Sequence, residues 1–154
     1  MGFLQGKRVL IVGLISNRSI AHGIAQAMHQ QGAELALTYQ DERFQERITK
    51  LASAWNATLF AKCDLALDAD IEQVFETLKQ HWDGIDIIVH SAAFAPTDQL
   101  AGDYLDCVTR DGFKIAHDIS SYSFAALAKA AKGYLRKNGA MLTMTYQGAE
   151  RAVK

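Results

Sequence analysis

The chain is 154 residues long, which suits one sizeable core and is too short for two domains with a linker. With 49% apolar residues, 21% charged residues and a formal net charge of -1, it has the balance of an ordinary soluble globular protein and none of the basic excess of a nucleic-acid binder. The opening "MGFLQGKRVLIVGLI" holds an apolar run too short to span a membrane and no small-residue cleavage site follows it, so the expectation is a cytoplasmic chain without membrane contact.

Short β-branched apolar runs alternate with longer amphipathic stretches, the pattern of a parallel sheet covered by helices on both faces. The first strand is expected at 8–12. A helix follows at 20–30, with Ile20, Ile24, Ala27 and Met28 on one stripe and Gly32 as its C-terminal cap. The second strand, 35–39, leads to a helix at 41–53 carrying Phe44, Ile48 and Leu51. The third strand, 58–61, precedes a helix capped by Asp68, with Ile71, Val74, Phe75 and Leu78 facing inward. The fourth strand is 85–89, a long Ala- and Ser-rich helix is expected at 110–135, and the fifth strand is 140–144. These strands are continuously apolar, as strands buried on both faces should be. Cys63 and Cys107 lack C-x-x-C spacing and the five histidines form no ligand cluster, so reduced structural thiols and no metal are expected.

Chemistry-bearing residues fall at the carboxyl ends of the strands, where open α/β sheets bind ligands. After the first strand comes "GLISNRSIAHGIA". Gly13 permits a tight turn, Ser19 offers a hydroxyl and an amide at a helix N-terminus, and Ile20 adds another amide, a set that can hold a pyrophosphate. Gly23, inside the helix, is costly unless helix and strand approach closely there. An ordinary capped turn is the alternative.

After the second strand, "TYQDER" presents Gln40, which can bond a ribose hydroxyl, and Asp41 and Glu42, which would repel a 2′-phosphate; NADH is therefore favoured over NADPH. Acids placed on a helix dipole explain Asp41 and Glu42 equally well. Asp64 and Leu65 in "CDL" can contact an adenine, or Asp64 can simply open a turn. In "HSAAFAP" the small Ser91, Ala92 and Ala93 let backbone approach a ligand.

Tyr122 and Lys129, seven residues apart, share a helix face and could form an acid pair, but they lie before the fifth strand and are read mainly as packing or subunit contact. Tyr146 directly follows the fifth strand, at the edge where a cofactor's reactive end belongs.

Taken together, "GLISNRSIAHGIAQAM", "GAELALTYQ", "CDL", "VHSAAFAP", "DGFKIAHDISSYSFAALAKA" and "LTMTYQGAERA" closely resemble the NADH-dependent enoyl-acyl-carrier-protein reductases, a divergent branch of the short-chain dehydrogenase/reductase family. That branch has a stretched phosphate loop, G-x5-S-x-A, met here by Gly13, Ser19 and Ala21. The resemblance implies a Rossmann-type doubly wound parallel sheet of order 3-2-1-4-5, lacking the final strands and helices of the full fold. It implies that Gly13, Ser19 and Ile20 hold the pyrophosphate of NADH, Gln40 the adenosine ribose, and Asp64 and Leu65 the adenine. Ala92 would lie along the nicotinamide, Ala95 would border the acyl pocket, and Tyr146 would be the first of two active-site tyrosines.

The second tyrosine and its lysine at Y-x6-K spacing would fall beyond residue 154, and Lys154 does not replace that lysine. The intact protein is therefore expected to reduce the trans-2 double bond of enoyl thioesters on acyl-carrier protein in fatty acid biosynthesis, as a homotetramer, whereas this chain alone is expected to lack turnover. A carbonyl-reducing relative and a non-catalytic NAD-binding fragment are the alternatives.

Overall fold

A computed structural model describes residues 2–152, a range that excludes Lys154. The chain runs β1 (Arg8–Val12), α1 (Ile20–Gln30), β2 (Glu34–Tyr39), α2 (Glu42–Ala52), β3 (Leu59–Lys62), α3 (Asp68–Lys79), β4 (Ile85–His90), a single turn α4 (Tyr104–Cys107), α5 (Arg110–His117), α6 (Ser123–Ala131) and β5 (Leu135–Thr143). All strand pairs are parallel and the order is β3-β2-β1-β4-β5, the Rossmann-type arrangement expected.

The pleat explains why these strands read as unbroken apolar runs. Leu10 and Val12 face one core, with Val74, Phe75, Leu78 and Leu127 of α3 and α6. Val9 and Ile11 face the other, with Ala21, Ala25 and Ile48 of α1 and α2. In β1 each of these residues thus meets a helix layer whichever way it points. Phe75 is 1% exposed, and truncating such a ring to Ala costs about 3–5 kcal/mol. Among the described residues no helix is long and apolar enough to cross a membrane.

Several expectations need correction. The fully buried positions of α1 are Ala21 and Ala25; Ile24 and Met28 of the expected stripe pack half-buried against the same core, whereas Ile20 is 67% exposed and Ala27 is also exposed. Gly23 is exposed, and a side-chain carbon added there meets nothing, so close strand contact does not account for it. Asp68 is not the cap of α3: Leu67 occupies the cap position, and Asp68 and Asp70 sit in the first turn, on the positive end of the helix dipole.

The long helix at 110–135 is interrupted by a π turn, Asp118–Tyr122, where serine hydroxyls divert the backbone: Ser123 Oγ donates to the Ile119 carbonyl at 2.6 Å. Helix α6 then ends at Ala131, through a turn with Gly133 at φ +84°, and β5 starts earlier than 140. Leu135 pairs with Ile85 and Ala140 with Ile87, so residues 136–139 bulge from the ladder. Beyond β5 no further strand pairs among the described residues, and Leu142 and Met144 are 42% and 39% exposed.

Candidate functional site

The carboxyl ends of β1 to β4 and the π turn enclose a cavity of about 280 Å³. Gly13, Ser19, Gln40, Asp64, Leu65 and Ala92 all line it, brought together from four strand ends. Ile20 and Ala95 are not part of the wall. Tyr146, 68% exposed and just past β5, lies outside it as well.

Gly13 has φ +100°, and a carbon in place of its hydrogen would overlap the Ser91 carbonyl and lie 3.0 Å from the Ala92 amide nitrogen. The glycine is therefore required by the close approach of β1 to β4, which the Ser91 amide seals by donating to the Val12 carbonyl at 2.9 Å. Ser19 occupies the cap position of α1 without capping it. Its hydroxyl and its amide both donate to the Ser16 carbonyl, at 2.7 and 3.1 Å. The free, accessible donor of this turn is instead the amide of Ile20, which has no backbone acceptor among the described residues; Ala21 also has none but is 0% exposed. The Ile20 amide points out of a helix N-terminus, where an anion is favoured.

At the end of β2, Gln40 faces the cavity beside an ion pair that closes on itself. Asp41 caps α2 by accepting from the Arg43 amide at 2.9 Å, and the Arg43 guanidinium folds back onto the same oxygen at 2.9 Å. Those hydrogen bonds hold the Asp41 carboxyl below its ordinary range and the guanidinium above its own. Arg43 is thus paired with its neighbour in an exposed contact that a 2′-phosphate would have to displace.

Asp64 uses one carboxylate oxygen to accept from the Ala66 amide at 3.1 Å, the turn role expected of it, while its other oxygen carries no such bond. Cys63 beside it is 3% exposed, and burial, followed by the Asp70 and Asp64 charges, pushes its thiol up to about 12. Cys63 and Cys107 are both free thiols.

On the β4 side the wall is the short bridge Ser91 to Phe94. His90, the last residue of β4, is 1% exposed; its Nε2 meets Ser123 Oγ at 2.8 Å and its Nδ1 meets Thr143 Oγ1 at 3.0 Å. Burial keeps its imidazole pKa below the ordinary value. Tyr122 bonds Asp68 of α3 at 3.4 Å, and Lys129 lines a separate recess with Asp68 and Glu72. That pair faces α3, in keeping with a packing role.

Sequence reasoning missed Thr38, Cys63, Phe94 and Ile119 as cavity walls. Thr38 was accessible to it, since strand period puts residues 38 and 40 on one face. Ile119 and Phe94 were not, because the π turn that aims Ile119 and the loop that carries Phe94 have no local periodicity.

A model of the "Enoyl-(Acyl carrier protein) reductase" family matches residues 13–154. The chain is 54% identical over 153 residues to the enoyl-(acyl-carrier-protein) reductase (NADH) FabI of Escherichia coli, covering 99% of this chain and 58% of that protein. It is 52% identical to the FabI of Neisseria meningitidis, covering 99% and 59%. Among solved structures, the enoyl-(acyl-carrier-protein) reductase (NADH) of Aquifex aeolicus superposes with a TM-score of 0.94 at 44% identity, over 99% of this chain and 60% of that one. The reductase of Anaplasma phagocytophilum in complex with NAD does so with a TM-score of 0.93 at 36% identity, over 99% and 58%. The chain thus spans a little under three fifths of the length of the curated relatives named here.

Proposed function

Because the chain belongs to the enoyl-(acyl-carrier-protein) reductase family, we propose that it forms the NADH-binding part of an enzyme that reduces the trans-2 double bond of enoyl thioesters carried on acyl-carrier protein, in fatty acid biosynthesis. The observation that carries this reading is the convergence of Gly13, Ser19, Gln40, Asp64, Leu65 and Ala92 on one cavity at the carboxyl edge of the sheet.

The residues present fit a dinucleotide. The cavity is close to the lower end of the usual range for small-molecule sites, about 300–1,000 Å³, a size suited to part of such a ligand. Ile20 offers an unpaired amide for a pyrophosphate, and the Gly13 turn gives backbone access that a side chain would block. Gln40 takes a ribose hydroxyl, and the spare oxygen of Asp64 accepts from the adenine amine, with Leu65 against the ring. Ala92 lies along the nicotinamide side.

Bound NADH would supply a hydride to the β-carbon of the enoyl thioester. The residues of this chain orient the cofactor and exclude water through the apolar walls Leu14, Ile119 and Phe94. Ala95, outside that wall, borders the acyl group as the resemblance implies. Tyr146 contributes a phenol at the carboxyl edge, exposed just past β5, as the first of the two active-site tyrosines that the resemblance implies. The acyl-carrier protein is the partner, and the intact protein is a cytoplasmic homo-oligomer.

Titrating the 154-residue chain with NADH and with NADPH, followed by cofactor fluorescence, tests the cofactor assignment. Saturable NADH binding tighter than NADPH is expected. Absence of NADH binding at millimolar concentration, or tighter NADPH binding, refutes it. Loss of reduced-cofactor absorbance on adding a crotonyl thioester to the intact protein tests the reaction.

A further inference from the structure

The bridge from Ser91 to Phe94 carries no secondary structure, yet it forms one wall of the cavity. Its first residue is tethered to the sheet, the Ser91 amide donating to Val12. Its far end is tethered by a side chain: the Phe94 amide donates to Ser120 Oγ at 3.0 Å, and the Ser120 hydroxyl donates to the Phe94 carbonyl at 3.1 Å. A single hydroxyl thereby makes both bonds that a neighbouring strand residue would make.

Ser120 can do this because it sits in the π turn, where Ile119 forms cavity wall and the next residue reaches the bridge. The turn is itself anchored to the sheet, since Ser123 Oγ donates to the Ile119 carbonyl and meets His90 Nε2 at the end of β4. Between the two tethers lie Ala92 and Ala93, with side chains too small to fix their own backbone.

We infer that Ser120 is a positioning residue for the nicotinamide half of the bound dinucleotide, acting through the Phe94 backbone to hold Ala92 and Ala93 at the cavity wall. This rests on the NADH reading above. The adenosine half, held from β2 and β3 through Gln40, Asp64 and Leu65, has no tether through Ser120.

The test compares the wild-type chain with S120A and with S120T, which keeps the hydroxyl, measuring affinity for NADH and for AMP, the thermal midpoint, and hydrogen exchange at the Phe94 amide. S120A is expected to lose about tenfold in NADH affinity, the effect of one lost pair of hydrogen bonds, with AMP affinity unchanged and faster exchange at Phe94. S120T is expected to recover most of the NADH affinity. Equal NADH affinity in S120A and wild type overturns the inference, as does a parallel loss of AMP affinity, which would mean that the substitution acts through the whole fold. A wild-type chain that binds AMP but not NADH overturns the cofactor reading and this inference with it.

Discussion

Replacing Gly13 by Ala tests whether the phosphate turn is shaped by the β1 to β4 contact. Two costs can be worked from the geometry. A non-glycine residue at φ +100° pays about 1–2 kcal/mol of backbone strain. The added carbon also overlaps the Ser91 carbonyl and lies 3.0 Å from the Ala92 amide nitrogen, both of them backbone atoms, so the end of β4 must move and the Ser91 to Val12 hydrogen bond weakens by about 1 kcal/mol. The sum is about 2–3 kcal/mol, which for a domain of this size lowers the thermal midpoint by about 4–12 °C.

NADH affinity should fall with it, because Gly13 and Ala92 are adjoining parts of the same wall. The internal control is Gly23→Ala. That glycine is exposed, in a helix, with open space around it, and Ala there should raise stability by about 0.5–1 kcal/mol. Thermal unfolding and NADH titration of both variants decide the matter. If G13A melts within a degree of wild type and binds NADH equally, or if G23A is as damaging as G13A, the geometric argument fails.

Other substitutions probe the remaining groups. His90 is held neutral by burial, so its contribution to stability is present above its ordinary pKa of 6.5 and drains away as pH falls through 6.5 toward the lowered folded value; His90→Gln should flatten that acid limb in urea unfolding measured between pH 7.5 and 5. For Asp86, burial pushes the carboxyl up, but bonds from the Arg8 amide and from Lys7, each at 3.0 Å, outweigh it and leave the pKa below 3.8. Its stabilisation is present above 3.8 and is lost as pH falls below. Asp86→Asn should therefore cost about 1–3 kcal/mol at neutral pH, with the difference shrinking in acid. Asp41→Asn frees the Arg43 guanidinium and should raise NADPH affinity relative to NADH about fivefold in parallel titrations. Thiol labelling of the native chain should modify Cys107 before Cys63, whose 3% exposure and raised pKa both slow attack.

The strands β1 to β4 were readable as continuous apolar runs, and their order followed from the family resemblance carried by the residue sets at the strand ends. The cavity wall was readable where its residues directly follow a strand, as Gly13, Gln40 and Ser91 do, or come one residue later, as Asp64 does. Where a residue's role depends on packing between distant segments, sequence alone was silent. The stretch "DISSY" has nothing that distinguishes a π turn from continuous helix until Ser120 meets Phe94 and Ser123 meets His90. The start of β5 was hidden because "LRKNG" reads as a polar turn, and it pairs only through a bulge whose Arg136 is held by Asp83 at 2.7 Å. Ser19 was read correctly as a cap position, yet its donors are spent on Ser16, a detail set by the fold of the loop rather than by residue type.

The cavity draws its wall from segments spread between Val12 and Ile119. No local piece of the chain, whether a βα hairpin or a single helix, carries enough of it to hold a ligand. The site comes into being only when long-range parallel pairings have closed, the slow class of folding event. A ligand that fills it consequently distinguishes completed molecules from partly assembled ones, and at a hundredfold excess over its dissociation constant it would favour the finished state by about 2.7 kcal/mol. The cellular pool of cofactor would then act as a folding ligand as well as a reagent, withdrawing finished chains from the population open to proteases.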